Sequence, residues 1–266
     1  MEKKNSISIA TAQFAAFAGN FGHNMKEMES LLEKAKAKNA RLVVFPELSL
    51  SGYDEFLVSE GRCTIDITSK ALNYFKNSCK KYEIYAVIGV CLQKNYGFSN
   101  SALVINNEGE IIGIYNKHYL DSYEKELFIS GDSGFLFEIE GWKFSLAISS
   151  DAFYPEHAKT MAKGGAEVYL ILGSFINGGL NHRRSLEFPA RALENEIYVV
   201  VSNYIGSHGD MDFCGRSSIY APNGDLLFEA TADQKEIIVS LLEEREFIKQ
   251  KGSVQNVEEQ MEVIKF

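Results

Sequence analysis

Residues 41–53 read RLVVFPELSLSGY, and the reading of this stretch decides the architecture. Residues 41–45 form a short apolar run of the kind that marks a strand covered on both faces. The run stops at Pro46, which has no N–H to continue a ladder, and an ionisable residue, Glu47, stands directly behind it. A strand covered on both faces needs helices or a second sheet beside it, and the neighbouring sequence supplies helices. Upstream, residues 25–38 place Met25, Met28, Leu31, Leu32 and Ala35 on one helical face, preceded by an alternating strand pattern over 7–14. Downstream, a helical stretch over 69–82 leads to a strand at 86–92.

The same alternation continues to the end of the chain. Residues 102–105 and 111–115 flank the turn formers Asn106, Asn107, Glu108 and Gly109, and 218–220 and 226–228 flank Pro222, Asn223, Gly224 and Asp225, so two hairpins are expected. Between them the pattern predicts a strand at 144–148, a helix at 155–163, a strand at 168–172, a helix at 184–195 and a strand at 197–201. A last strand at 236–241 precedes a charged tail expected to be helical. Helices alternating with strands, together with antiparallel hairpins, imply a layered α/β domain with mixed sheets. No linker-like shift in composition and no repeat breaks the chain, so a single domain is expected over 1–266, with its core at 5–245 and a tail at 246–266.

Composition narrows the function. With 27 basic against 36 acidic residues the net charge is -9, which disfavours a nucleic-acid backbone or an anionic membrane surface as partner. The opening MEKKNSISIATAQF passes straight into a strand pattern without the apolar centre of a signal peptide, and no run reaches the ~18 apolar residues of a membrane span. A cytoplasmic location is therefore expected. Cys63, Cys79, Cys91 and Cys214 show no C-x-x-C spacing and the five histidines are dispersed, so a zinc site is not indicated and reduced, buried thiols are expected.

Three places set polar or ionisable groups at the end of an apolar strand, where charge is seldom buried without purpose. Glu47 closes the first, and its plain reading is a solvated loop carboxylate. Lys117, in IIGIYNKHYL, follows the second, where a lysine is usually just exposed. Ser149, Ser150 and Asp151, in FSLAISSDAFYPE, end the third, and alone they would serve as the N-cap of the helix at 155–163.

Taken together, the three segments resemble the nitrilase (carbon-nitrogen hydrolase) superfamily, whose members carry a glutamate–lysine–cysteine triad at strand ends. Phe45, Pro46, Glu47, Gly52 and Tyr53 match its F-P-E-x-x-x-x-G-Y pattern, and Tyr115, Lys117 and Leu120 match Y-x-K-x-x-L. Ile148, Asp151, Pro155 and Glu156 match I-C-x-D-x-x-x-P-E, with Ser149 in the cysteine's place. Arg191, Ala192, Glu194 and Asn195 look like the R-A-x-E-N helix, Ser202 and Asn203 like a strand-end asparagine, and Gly215, Ser217, Pro222 and Gly224 like a G-x-S-x-x-x-x-P-x-G hairpin. Glu124, followed by Lys125, Phe128 and Gly131, fits a second family glutamate, with Glu126 as the competing choice.

The resemblance implies a four-layer α-β-β-α sandwich with two mixed sheets. It implies hydrolysis of a carbon–nitrogen bond in a small linear amide or N-carbamoyl amine through a thioester, with no metal or organic cofactor. Glu47 would act as general base and Lys117 would stabilise the oxyanion, aided by a backbone N–H near Ser150 or position 174, while Glu124 would hold Lys117 and the amide in register. Candidate pocket walls are Tyr53, Tyr119, Ser150, Asp151, Phe153, Tyr154, Phe175 and Asn203. A homodimer or larger assembly is also implied, with His157, Met161 and the region 191–194 at its interface. Serine at 149 departs from the pattern, because a carboxylate that can take the proton of a thiol near ~8.5 is a poor base for a hydroxyl many units higher. Little or no turnover is therefore expected. A cysteine-to-serine substitution in an otherwise active enzyme would account for this, as would a naturally inactive relative that binds a ligand or partner; retention of Glu47, Lys117 and Glu124 favours the first.

Overall fold

The computed structural model describes residues 6–244. The first sheet runs Glu236–Glu243, Ser6–Gln13, Leu42–Val44, Tyr85–Lys94, Gly97–Ile105, Ile111–Asn116, with the two-residue strand Thr64–Ile65 beside Tyr85–Lys94. The second runs Leu226–Glu229, Ser218–Tyr220, Tyr198–Ser202, Val168–Leu172, Trp142–Ile148, Leu136–Ile139. In each, parallel strands occupy the centre and antiparallel strands the flanks, as helical crossovers and tight hairpins respectively require.

Alternation along the strands makes the layers. Ile7, Ile9, Leu42, Val44, Val87 and Val104 of the first sheet meet Phe144, Leu146, Ile148, Leu170, Leu172 and Val200 of the second in one interior. The opposite face of the first sheet, with Ala10, Ala12, Val43, Ala86 and Ile88, packs on Met28, Leu31, Leu32 and Ala35 of helix Phe21–Ala37 and on Leu72, Phe75 and Cys79 of helix Lys70–Tyr82. The outer face of the second, with Ala147, Tyr169, Ile171, Val199 and Val201, packs on Ala158 and Met161 of helix Pro155–Lys163 and on Phe188 and Ala192 of helix Gly179–Asn195. Helices, sheet, sheet and helices stack in that order, so the expected four-layer α/β sandwich is present.

Buried hydroxyls stitch the two sheets where their central strands end. Thr11 Oγ1 donates to Val201 O at 2.7 Å, and Ser202 Oγ donates to Ala12 O at 2.5 Å. The backbone joins in, with Glu47 N donating to Gly173 O at 3.3 Å and Gly173 N to Ser202 O at 2.7 Å.

Several elements differ from the periodicity reading. The helix expected from 184 begins at Gly179, because Gly178 at φ 91 breaks the chain just before it. Leu136–Ile139 and the hairpin Ile205–His208 with Met211–Cys214 are strands too short to stand out in the sequence. Ser149 to Asp151 do not cap the following helix, which starts with Pro155 at its first turn and has no side-chain cap; they open a separate 3-10 turn, Ser149–Phe153. All four cysteines are free and buried. The tail expected at 246–266 lies outside the described residues.

Candidate active site

Glu47, Lys117 and Ser149 converge where strands from both sheets end. Beyond Leu42–Val44 the chain turns sharply, with Leu48 in the left-handed region at φ 47. This turn lies against Gly89, and a Cβ there would stand 2.2 Å from Leu48 N and 2.5 Å from Pro46 O, so only glycine lets the two segments approach. Gly89 N in turn donates to Ser49 Oγ at 3.1 Å, and Tyr204 OH donates to Glu47 O at 2.5 Å. The Glu47 side chain is thus presented on a fixed backbone, fully buried.

Lys117 follows Ile111–Asn116 and is held at both peptide groups, its N–H donating to Asn100 O and its carbonyl accepting from Gly131 N, each at 2.8 Å. Its ammonium sits 3% exposed between two carboxylates, 2.9 Å from Glu47 Oε1 and 2.6 Å from Glu124 Oε1. Burial alone would push this lysine toward neutrality, but the attraction of Glu47 and Glu124 outweighs it and leaves the pKa above the ordinary lysine value. Glu124 opens the short helix Glu124–Leu127 and exchanges hydrogen bonds with Asp121, while Glu126 is exposed. Glu124, not Glu126, is therefore the carboxylate brought to Lys117.

Burial pushes the Glu124 carboxyl up to about 7, with the Lys117 ammonium opposing and the Glu47 carboxylate adding to the rise. A carboxyl with a raised pKa in the fold binds its proton more tightly there than in the unfolded chain. Its contribution to stability is then largest at low pH and is lost as pH climbs from the ordinary carboxyl value through about 7. Relative to Glu124→Gln, the chain is expected to lose roughly 2 kcal/mol between about pH 5 and about pH 8 in urea unfolding. A difference that stays flat across that range would contradict the raised value.

Ser149 ends strand Trp142–Ile148 at φ 44, a left-handed conformation that costs a non-glycine residue on the order of 1 kcal/mol and persists only where its surroundings enforce it. Asp151 supplies the enforcement. Its Oδ2 accepts from Ile148 N at 3.0 Å and Tyr115 OH at 2.6 Å, and its Oδ1 from His118 N at 3.1 Å and Tyr119 N at 2.8 Å. One buried carboxylate thereby ties the turn at Ser149 to the loop behind Lys117.

Two polar side chains that the sequence reading did not single out complete the surroundings of Glu47. Asn100 Nδ2 donates to Oε1 at 2.6 Å, and Ser174 Oγ donates to Oε2. Ser174 Oγ also lies 3.4 Å from Ser149 Oγ.

Three residues expected at the pocket wall are fully buried and engaged in the fold. Asp151 is wholly buried by the four bonds just described. Asn203 is buried as a backbone brace, its Oδ1 accepting from Phe175 N and its Nδ2 donating to Phe175 O and Gly215 O. Phe175 is enclosed between Phe153 and Phe188, and because its N–H is spent on Asn203 that group is no free donor to an oxyanion. Tyr53, Tyr119, Ser150, Phe153 and Tyr154 keep exposure. Burial, and then the nearby Glu47 and Glu124 carboxylates, raise the Tyr53 pKa, while Tyr119 stacks on Tyr154 at 3.8 Å and its carbonyl accepts from Ser150 Oγ. His157, expected at an interface, is buried between Tyr115 OH at 2.9 Å and Tyr169 OH at 2.8 Å; Met161 and Arg191 are also beneath the surface.

A family model described as Carbon-nitrogen hydrolase matches residues 8–245. The chain belongs to the carbon-nitrogen hydrolase family. Within this family it is 32% identical over 235 residues to the 2-oxoglutaramate amidase of Bacillus subtilis, covering 85% of this chain and 87% of that protein. It is 28% identical over 242 residues to the glutamine-dependent NAD(+) synthetase of Acinetobacter baylyi, covering 88% of this chain but only 44% of that protein, so the chain spans less than half of that relative's length. Its fold matches that of a cysteine-to-alanine mutant of the amidase from Nesterenkonia sp. AN1 in complex with butyramide, with a TM-score of 0.83 at 22% identity, over 94% of this chain and 98% of that one.

Proposed function

We propose that this carbon-nitrogen hydrolase is built to cleave a non-peptide carbon–nitrogen bond in a small linear amide or N-carbamoyl amine, and that with serine at 149 it turns over little or nothing. The observation that carries the reading is the buried ammonium of Lys117 held between Glu47 and Glu124, with the side chain at 149 one hydroxyl away from Glu47. In this mechanism Glu47 receives the nucleophile's proton, the nucleophile attacks the amide carbon, and Lys117 stabilises the charge that develops on the carbonyl oxygen. Glu47 then returns the proton to the departing nitrogen, and water attacks the acyl-enzyme in the second half. With a thiol the first transfer is within a carboxylate's reach, whereas with the Ser149 hydroxyl it is many units uphill. The amidase named in Bacillus subtilis and the butyramide bound to the Nesterenkonia amidase support a small amide as substrate. A cytoplasmic location and a homodimer or larger assembly complete the proposal, the assembly supported by Leu186 and Leu193, which stand exposed on helix Gly179–Asn195.

The test is to assay Ser149→Cys for ammonia release against a panel of linear amides and N-carbamoyl amines, and to weigh the protein by mass spectrometry during turnover. Release with an acyl adduct on residue 149 supports the proposal. Silence across the panel, with no adduct, would overturn it and leave a ligand-binding role.

A further inference from the structure

We propose that Ser174 is a catalytic residue that relays the nucleophile's proton to Glu47, an assignment that rests on the hydrolase reading above. Both oxygens of the Glu47 carboxylate are engaged. Oε1 accepts from Lys117 Nζ at 2.9 Å and from Asn100 Nδ2 at 2.6 Å, and Oε2 accepts from Ser174 Oγ. A serine hydroxyl has a single proton, and that of Ser174 is committed to the carboxylate. In its 3.4 Å contact with Ser149 Oγ, Ser174 is therefore left as the acceptor. The hydrogen-bonded route from the nucleophile to the base thus points one way, from residue 149 to Ser174 to Glu47.

The backbone around Ser174 is pinned so that this side chain cannot drift. Gly173 bonds through its N–H to Ser202 O and through its carbonyl to Glu47 N, and the N–H of Phe175 is held by Asn203 Oδ1. A Cβ on Gly173 would come 2.5 Å from the Phe175 ring, so the turn that aims Ser174 requires glycine before it. Ser174 also keeps partial exposure, whereas Glu47 has none, so a substrate amide meets the relay before it meets the base.

In the step itself the proton on the nucleophile passes to Ser174 Oγ as the proton already on Ser174 passes to Glu47 Oε2. Ser174 ends neutral, Glu47 ends protonated, and the electron pair freed on the nucleophile forms the bond to the amide carbon while the carbonyl pair moves onto oxygen. A serine that merely braced Glu47 would behave in the opposite way, because its removal would open Oε2 to the nucleophile directly.

The experiment places Ser174→Ala and Ser174→Thr separately in the Ser149→Cys protein and reads two quantities. The first is kcat and KM for butyramide; the second is the pH dependence of thiol alkylation by iodoacetamide, which needs no turnover. Ser174→Ala is expected to lower kcat about a hundredfold with KM held, and to slow alkylation near neutral pH by at least about tenfold, while Ser174→Thr restores both. Unchanged or faster alkylation in Ser174→Ala would overturn the relay. If Ser149→Cys cleaves no amide yet its alkylation slows in Ser174→Ala and recovers in Ser174→Thr, the relay stands and the amide-hydrolase reading is what fails.

Discussion

Exchange of Lys117 for methionine is expected to destabilise the fold by about 3–5 kcal/mol, because it removes the cation from a buried set and leaves two carboxylates facing each other without water. Glu47 and Glu124 both bond to the same ammonium, at 2.9 and 2.6 Å, and neither has solvent to turn to. Asn100 and Ser174 still donate to Glu47, so the remaining distress falls chiefly on Glu124. That carboxyl already titrates near about 7, and loss of the ammonium drives it higher. It can then relieve the repulsion by taking up a proton. The penalty in urea unfolding is therefore expected to be larger at about pH 8 than at about pH 6. A loss below about 1 kcal/mol at the higher pH would mean that the set is far better hydrated than its enclosure implies.

Glu47→Gln, made in the Ser149→Cys protein, is expected to lower kcat for small amides by about a thousandfold with little change in KM. Glutamine keeps the shape and can still accept from Lys117 and Asn100, but its amide cannot hold the nucleophile's proton. Lys117 retains Glu124 at 2.6 Å, so the fold survives the change and the loss reads as chemistry. Steady-state kinetics beside a thermal unfolding curve checks this. A kcat within tenfold of the parent would remove Glu47 from the role of base.

The layered architecture and the strand-end positions of Glu47, Lys117 and Ser149 were legible because each involves a local contradiction, an apolar run stopped by a group that water would normally claim. Helix Pro155–Lys163 and strand Val168–Leu172 fall where their periodicity puts them. What the sequence hid are partners made by long-range folding. Asn100, Ser174 and Tyr204 reach Glu47 across 53, 127 and 157 residues, and no local pattern encodes such meetings. Ser174 does carry a signal: VYLIL is followed by Gly173 and a hydroxyl, much as the strand before it is followed by Ser149, but a hydroxyl after a glycine reads equally well as an ordinary turn former. The bracing bonds of Asp151 and Asn203 were hidden for a related reason. A polar side chain at a strand end reads the same whether it faces a cavity or braces a neighbouring backbone.

The hydrogen bonds that join Thr11 to Val201, Ser202 to Ala12 and Glu47 to Gly173 carry one more implication. Base and lysine belong to one sheet, while the residue at 149 and Ser174 belong to the other. A ribosome that has released the chain only as far as Ile111–Asn116 and Lys117 has made the carboxylate and the ammonium without the residue at 149 or Ser174, and the first sheet itself still lacks its edge strand Glu236–Glu243. The two halves of the site can therefore meet only once Tyr198–Ser202 has emerged and seated against the opening strand, so a chain truncated before that point carries no assembled site.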